Sequence, residues 1–127
     1  MRSCVLDASA LVAFLLDEPG AESVAPYLRA GLISSVNYTE TLTRFLDLGK
    51  PLADAVIAIG RLEVAVVPHD ADLAAVATSL RPATRTLGLS LADRCCLALA
   101  VSRRLPVLTG DRQWQKAGID LEILLIR

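Results

Sequence analysis

The sequence predicts an α/β fold in which helices cover both faces of a parallel β-sheet. Short, continuous apolar runs alternate along the chain with longer segments of helical character, and such runs are typical of strands buried on both faces. The chain has 127 residues, of which 54% are apolar, and this length suits one domain with one core. We therefore expect a single α/β domain over residues 1–127.

The first half of the chain divides at glycines and prolines. Pro19-Gly20 ends the first predicted helix, Gly49 closes a later one, and Pro51 suits the first turn of the helix after it. The predicted elements are a strand at 3–6, helices at 8–16 and 21–30, a strand at 32–36, and helices at 37–48 and 52–62.

The second half continues the same alternation. Pro68 ends the third strand, and residues 81–88 are expected to form a loop before a long apolar helix. The predicted elements are strands at 63–67, 106–108 and 121–126, and helices at 70–80, 90–105 and 112–117.

Composition excludes several classes of protein. Charged residues make up 21% of the chain and the net charge is −1, which argues against a disordered chain and against a generally basic nucleic-acid coat. Residues 81–127 carry eight basic and four acidic side chains, an excess that fits a solvated surface as well as a phosphate-facing patch. No stretch reaches the roughly 18 apolar residues of a membrane span, so we expect a cytoplasmic protein.

Four acidic side chains fall at the ends of predicted strands or in the first turn of a helix. They are Asp7, Glu40, Asp93 and Asp111. Because function gathers at the carboxyl ends of parallel strands, these acids are candidates for one site. Grouped carboxylates repel each other unless a cation neutralises them, and their oxygens suit Mg²⁺ or Mn²⁺.

Each of these acids also has a purely structural explanation as part of a helix cap. The spacing of Asn37 and Glu40, and that of Ser90 and Asp93, fits a capping box. The remaining candidate caps are Asp7 or Ser9 for the helix at 8–16, and Asp111 for the helix at 112–117. The residues alone leave the choice between cap and metal ligand open.

Other catalytic arrangements lack the residues they need. The one histidine, His69, has no fitting partners for a Ser/His/Asp or Cys/His site. Gly110 is isolated, and no Gly-rich phosphate-binding loop is present.

The motifs resemble those of PIN-domain ribonucleases, and most of all those of the VapC toxins of toxin–antitoxin pairs. The resemblance covers the whole chain. It rests on V-L-D-A-S-A-L-V at 5–12, on Glu40, on L-S-L-A-D at 89–93 before an Ala-rich helix, and on L-T-G-D at 108–111.

The resemblance implies a PIN-like three-layer α/β/α sandwich with a five-stranded parallel sheet of order 3-2-1-4-5. It implies that Asp7, Asp93 and Asp111 bind Mg²⁺ or Mn²⁺, with Glu40 acting through water or orienting the nucleophile. Ser9 and Thr109 would be supporting hydroxyls, although both also suit local caps. Many relatives carry a further acid shortly after the position of Asp111; here residues 112–115 supply none, which leaves a second metal position without that ligand.

The activity implied is that of a metal-dependent endoribonuclease toxin that cuts RNA to leave a 5′-phosphate and a 3′-hydroxyl. Arg112 and Lys116 are candidates to hold substrate phosphates. The expected partners are RNA, a second copy of the chain, and a cognate antitoxin that places a basic residue in the acidic site.

Two alternatives belong to other functional classes. One is a catalytically silent PIN-like module that binds RNA or protein, which metal-dependent cleavage would distinguish from an enzyme. The other is a receiver-type signalling domain, which needs an acid pair at the end of the first strand and an aspartate at the end of the third. A lone Asp7 and Pro68-His69 stand at those places.

Overall fold

Five short parallel strands form one sheet, of order β3-β2-β1-β4-β5, in the computed structural model, which describes residues 3–127. The strands are β1 (Cys4–Leu6), β2 (Gly31–Ser34), β3 (Ala65–Val67), β4 (Val107–Thr109) and β5 (Ile123–Leu125). Val5 of the central strand is aligned with Leu32 on one side and Val107 on the other. Because every pair is parallel, all five strands end at the same edge, as the predicted topology requires.

Helices connect the strands. They are α1 (Ala8–Leu15), α2 (Ala21–Val24), α3 (Ser35–Asp47), α4 (Leu52–Gly60), α5 (Ala71–Ser79), α6 (Arg81–Thr84) and α7 (Leu91–Arg103). Short 3₁₀ helices cover Ala25–Tyr27, Arg85–Leu87 and Arg112–Ala117. Among residues 3–127, none of the helices has the length and apolar character to cross a bilayer.

Two hydrophobic cores lie on opposite faces of the sheet, which gives the predicted three layers. In β1, Cys4 and Leu6 face the core formed with α1, while Val5 faces the core formed with α7. This alternation is the two-residue period of a strand, with both faces apolar because both are covered. The sheet is therefore buried on both sides, and its edge of strand ends is where polar groups collect.

The first turn of α3 differs from the prediction. The helix begins at Ser35 rather than Asn37, because the Ser34 hydroxyl accepts a hydrogen bond from the Val36 N–H and caps the helix. Asn37 consequently lies inside the helix and is fully buried. The predicted capping box of Asn37 and Glu40 is wrong.

Two connecting segments also differ from the prediction. The helix expected at 21–30 continues only as α2 and a 3₁₀ turn, since Pro26 cannot donate the next helical hydrogen bond. The loop expected at 81–88 is instead α6 and a 3₁₀ turn. Pro82 is tolerated there because it occupies the first helical turn, where its missing N–H is not required.

Candidate functional site

Asp7 stands at the end of the central strand, buried and surrounded by hydrogen-bond donors. It caps α1, and its Oδ1 accepts the Ala8 N–H at 2.9 Å. Its Oδ2 accepts the Ser9 hydroxyl at 2.6 Å and the Thr109 hydroxyl at 2.8 Å. These contacts are what a carboxylate held away from water requires, and they tie the end of β1 to the end of β4.

The two hydroxyls extend this network towards Asp111. The Ser9 Oγ accepts the Gly110 N–H at 3.0 Å, and the Thr109 Oγ1 accepts the Asp111 N–H at 3.1 Å. Asp111 in turn caps the last 3₁₀ helix, with its Oδ1 accepting the Gln113 N–H. Ser9 and Thr109 thus contact Asp7 directly and also hold the loop that carries Asp111.

The charge state of Asp7 reflects its burial. Burial raises the pKa of Asp7 from 3.8 to about 6, although hydrogen bonds from Ser9 and Thr109 oppose the rise. The negative charges of Asp93 and Glu40 raise this pKa further. Asp7 is therefore electrostatically coupled to acids on two other elements of the fold.

Asp93 lies in the first turn of α7 and completes the predicted capping box. Its Oδ2 accepts the Ser90 N–H at 2.8 Å, and the Ser90 Oγ accepts the Asp93 N–H at 3.1 Å. Burial raises the pKa of Asp93, hydrogen bonds with Ser90 lower it, and the charge of Asp111 raises it again. Asp93 therefore caps α7 as predicted, and its carboxylate also interacts electrostatically with that of Asp111.

Glu40 is exposed on α3 and is positioned by Asn37. The Asn37 Nδ2 donates to the Glu40 Oε1 at 2.9 Å and to the Ala92 carbonyl at 3.0 Å. Ala92 immediately precedes Asp93, so a single buried amide fixes Glu40 relative to the start of α7. Asn37 was predicted to be a cap, and this role was missed because no local spacing indicates a contact with a residue 55 positions away.

Three of the four acids have one oxygen in a hydrogen bond and one that is not bonded. Within residues 3–127, the Oδ1 of Asp93, the Oδ2 of Asp111 and the Oε2 of Glu40 accept no hydrogen bond. Capping and ligation are therefore compatible, since each cap uses a single carboxylate oxygen. The all-oxygen donor set, with its mutual repulsion, fits a hard divalent cation.

The acids are nevertheless not a preformed metal centre. In the part of the chain from Ser3 to Arg127, no three Asp, Glu, His or Cys side chains are arranged to hold a metal ion. The carboxylates are linked through their charges, Asp7 with Asp93 and Glu40, and Asp93 with Asp111. The ligand roles assigned to them remain predictions.

The two candidates for holding phosphates lie beside Asp111. Arg112 and Lys116 are exposed on the 3₁₀ helix that follows Asp111, where they are open to solvent. Trp114, on the same helix, is fully buried and packs in the core with α7, so it does not offer a stacking surface. His69 is half-buried, with its Nε2 3.5 Å from the Cys95 Sγ.

Thr109 offers a test of the network. Replacing it with valine keeps the shape but removes one donor to Asp7 and the acceptor for the Asp111 N–H. We expect Thr109→Val to lower the free energy of unfolding by about 1–3 kcal/mol in urea denaturation. Thr43→Val is the matched control, because that hydroxyl is exposed and donates only to a helix carbonyl. Equal losses in both variants would show that the network contributes nothing specific.

Comparison with protein-family models finds a match over most of the chain. The PIN domain model matches residues 4–120. A search of curated protein sequences finds no match.

Solved structures with a similar fold come from several bacteria. The chain is similar to a toxin–antitoxin complex from Klebsiella pneumoniae, with a TM-score of 0.78, 18% identity and 98% of each chain covered. It is also similar to a DNA-bound VapBC from Salmonella typhimurium, with a TM-score of 0.77, 18% identity and 100% of each chain covered. A third similar structure is a VapC from Mycobacterium tuberculosis, described as a sarcin–ricin-loop-cleaving toxin, with a TM-score of 0.73, 17% identity and coverage of 91% of this chain and 95% of that one. At these identities the likeness establishes the fold.

Proposed function

The chain belongs to the PIN-domain family, and on that premise we propose that it is a Mg²⁺- or Mn²⁺-dependent endoribonuclease that acts as the toxin of a toxin–antitoxin pair. The observation that carries the proposal is the edge of strand ends, where four acids are coupled by charge and three of them keep an unbonded oxygen. A helix cap needs only its own carboxylate and no neighbouring acids. A site that cleaves phosphodiesters needs several acids close together, because they bind the cations that offset the negative charge of the substrate.

Asp7, Asp93 and Asp111 would hold the metal, and Glu40 would act through a water molecule. When bound, Mg²⁺ or Mn²⁺ supplies positive charge to offset that of the carboxylates and the phosphodiester, and lowers the pKa of water. Side-chain rotation would bring the unbonded oxygens of Asp93 and Asp111 to the ion. Asp7, with three hydrogen bonds already made, retains one acceptor position, on Oδ1.

The remaining site residues position these groups. Ser9 and Thr109 fix the orientation of the Asp7 carboxylate, and Asn37 fixes that of Glu40. Glu40 is exposed and would orient the attacking water towards the phosphorus. Arg112 and Lys116, on the 3₁₀ helix that Asp111 caps, would attract phosphates of the RNA backbone.

RNA cleavage by the purified protein tests this function. We expect cleavage of single-stranded RNA in Mg²⁺ or Mn²⁺, loss of cleavage in EDTA, and no cleavage of DNA of the same sequence. RNA binding without cleavage at any metal concentration would instead support the catalytically silent module. The family match leaves the receiver-type alternative without support.

The proposed partner is an antitoxin that covers the helices beside the site. The similar structure from Klebsiella is named as a toxin–antitoxin complex, and the present chain has a suitable surface for a partner. Large apolar side chains are exposed on α3, on α4 and between them: Leu46, Leu48, Leu52, Val56 and Ile57. An amphipathic segment of the antitoxin would fold along this surface.

The antitoxin should inhibit by placing an Arg or Lys against the four acids, since a guanidinium binds carboxylates in a bidentate manner. To test this, the chain is co-purified with the product of the neighbouring gene, and basic residues in that product's tail are replaced by Ala. We expect the tail variant to bind but to inhibit RNA cleavage poorly. Inhibition equal to that of the unmodified partner would contradict the mechanism.

The proposal extends to the oligomeric state of the protein and to its location in the cell. We propose a homodimer in the cytoplasm, where the reduced state of Cys4, Cys95 and Cys96 would be maintained. Light scattering of the purified protein, without its antitoxin, tests the dimer.

A further inference from the structure

Arg127 lies against the loop that carries the acidic site. A Cβ built on Gly110 would lie 3.0 Å from the Arg127 Nη2, 3.1 Å from its Cζ and 3.3 Å from its Nε. The three distances are nearly equal, which places the flat face of the guanidinium, and not its edge, over Gly110. A side chain at position 110 would occupy the same space, so glycine permits this approach.

The backbone and one guanidinium nitrogen hold Arg127 in this position. The Ile126 N–H donates to the Thr109 carbonyl at 3.0 Å, which fastens the segment to the end of β4. Ile126 is buried, and its carbonyl lies where a side chain on Gly20 would be, at a glycine with φ of +95°. The Arg127 Nη1 donates to the Pro19 carbonyl at 3.0 Å.

The opposite edge of the guanidinium has no partner within residues 3–127. Nε and Nη2 make no hydrogen bond there, and no ion pair joins Arg127 to a carboxylate of those residues. Arg127 is also exposed. The Nε–Nη2 edge presents two parallel N–H donors, an arrangement that matches two oxygens of a phosphate or carboxylate.

Gly110 connects this guanidinium to the acidic site. It stands between Thr109 and Asp111, and its N–H donates to the Ser9 hydroxyl, which donates to Asp7. The guanidinium therefore lies beside the loop between Thr109 and Asp111, and within residues 3–127 it forms no ion pair with any of the four acids. A polyanion bound at Asp111 would have this pair of N–H donors nearby.

We propose that Arg127 binds a backbone phosphate of RNA, next to the phosphodiester that is cleaved. This inference rests on the proposed function and adds a substrate-binding residue to it. Among residues 3–127, Arg112 and Lys116 are exposed and make no side-chain hydrogen bond, whereas the Arg127 guanidinium lies beside Gly110 and donates to the Pro19 carbonyl before the substrate arrives. Such preorganisation reduces the entropy lost on binding.

The test measures RNA binding and cleavage separately. A short fluorescent single-stranded RNA of mixed sequence is titrated with Asp93→Asn protein in Mg²⁺, with and without Arg127→Gln or Arg127→Lys. Arg103→Gln is the matched control, because it removes one exposed positive charge at the far end of α7. Cleavage by the same variants with Asp93 intact gives KM and kcat, and thermal melting confirms that each is folded.

We expect Arg127→Gln to weaken RNA binding and raise KM about tenfold, with kcat changed by less than about twofold. The slope of log affinity against log salt should fall in magnitude by about 0.7, the value for one contact to single-stranded nucleic acid. Arg127→Lys should keep the salt slope and recover only part of the affinity, because an ammonium cannot make the bidentate contact. NMR signals of the Arg127 Nε–H should shift when RNA is added.

Equal binding by Arg127→Gln and Arg103→Gln would overturn the proposal, as would a salt slope for Arg127→Lys as shallow as that for Arg127→Gln. If wild-type protein binds RNA but does not cleave it, the proposed nuclease function fails, and the binding series still decides the role of Arg127. If wild-type protein does not bind RNA, both proposals fall.

Discussion

Replacing Asp93 with asparagine is expected to abolish RNA cleavage while the protein remains folded. Asparagine can still accept the Ser90 N–H through its side-chain oxygen, so the capping box loses little. The carboxylate charge, however, disappears from the proposed metal site. We expect the cleavage rate to fall on the order of a thousandfold, measured with fluorescent RNA in saturating Mg²⁺.

Ser90→Ala is the matched variant for this experiment. It removes the hydroxyl that accepts the Asp93 N–H but leaves the Asp93 carboxylate in place. We expect a loss of about 1 kcal/mol in the free energy of unfolding and little change in cleavage. The two variants therefore separate the capping role from the ligand role. A folded Asp93→Asn protein that cleaves RNA at the wild-type rate would mean that Asp93 is a cap alone.

Replacing Asp7 with asparagine is expected to stabilise the metal-free protein. Asp7 is buried, and its pKa in the folded protein is about 6, compared with 3.8 for an exposed aspartate. The folded state therefore holds the Asp7 proton more tightly than the unfolded state does. Protonation of Asp7 therefore stabilises the folded protein. This stabilisation is fully present below about pH 4, and roughly 3 kcal/mol of it is lost as the pH rises through about 6.

Asp7→Asn should remove this pH dependence, because the amide does not ionise. Near pH 7.5 we expect the metal-free variant to be about 1–3 kcal/mol more stable than wild type, after some loss of hydrogen bonding to Ser9 and Thr109. Thermal melting between pH 4 and pH 8 in EDTA measures the effect. Asp120→Asn, at an exposed position before β5, is the control and should melt as wild type does. A wild-type melting temperature that rises from pH 4 to pH 8 would contradict the raised pKa of Asp7.

The same variants report on metal binding. A cation that binds only the folded protein raises its stability by mass action. Mg²⁺ or Mn²⁺ should raise the melting temperature of wild type and of Asp120→Asn, and should have little effect on Asp7→Asn combined with Asp93→Asn. Equal shifts in all three proteins would show that the ion binds elsewhere.

Local patterns predicted most of the fold. Apolar runs marked all five strands, and their alternation with helices is sufficient to predict a parallel sheet. The capping box of Ser90 and Asp93 was predicted because both of its hydrogen bonds lie within four residues. The start of α3 was predicted wrongly at Asn37, because the use of Ser34 as the cap depends on burial of Asn37 against α7, which is a tertiary contact.

The site was predictable only as a set of candidate residues. The acids could be chosen because each follows a strand or begins a helix, and those positions share one edge of a parallel sheet. Their supporting contacts pair residues that are distant in sequence, such as Asp7 with Thr109 and Asn37 with Ala92. Arg127 is the extreme case, since its neighbours Pro19 and Gly110 come together only when β4 and the end of α1 are in place. No spacing rule identifies such a residue.

The central claim is that Asp7, Asp93 and Asp111 form one divalent-metal site, with Glu40 close by. Anomalous diffraction from crystals soaked in Mn²⁺ tests it most directly. We predict an anomalous peak at the edge of strand ends, about 2.1 Å from a carboxylate oxygen of each of the three aspartates. The absence of a peak there, from crystals of protein that cleaves RNA in the same Mn²⁺ solution, would contradict it.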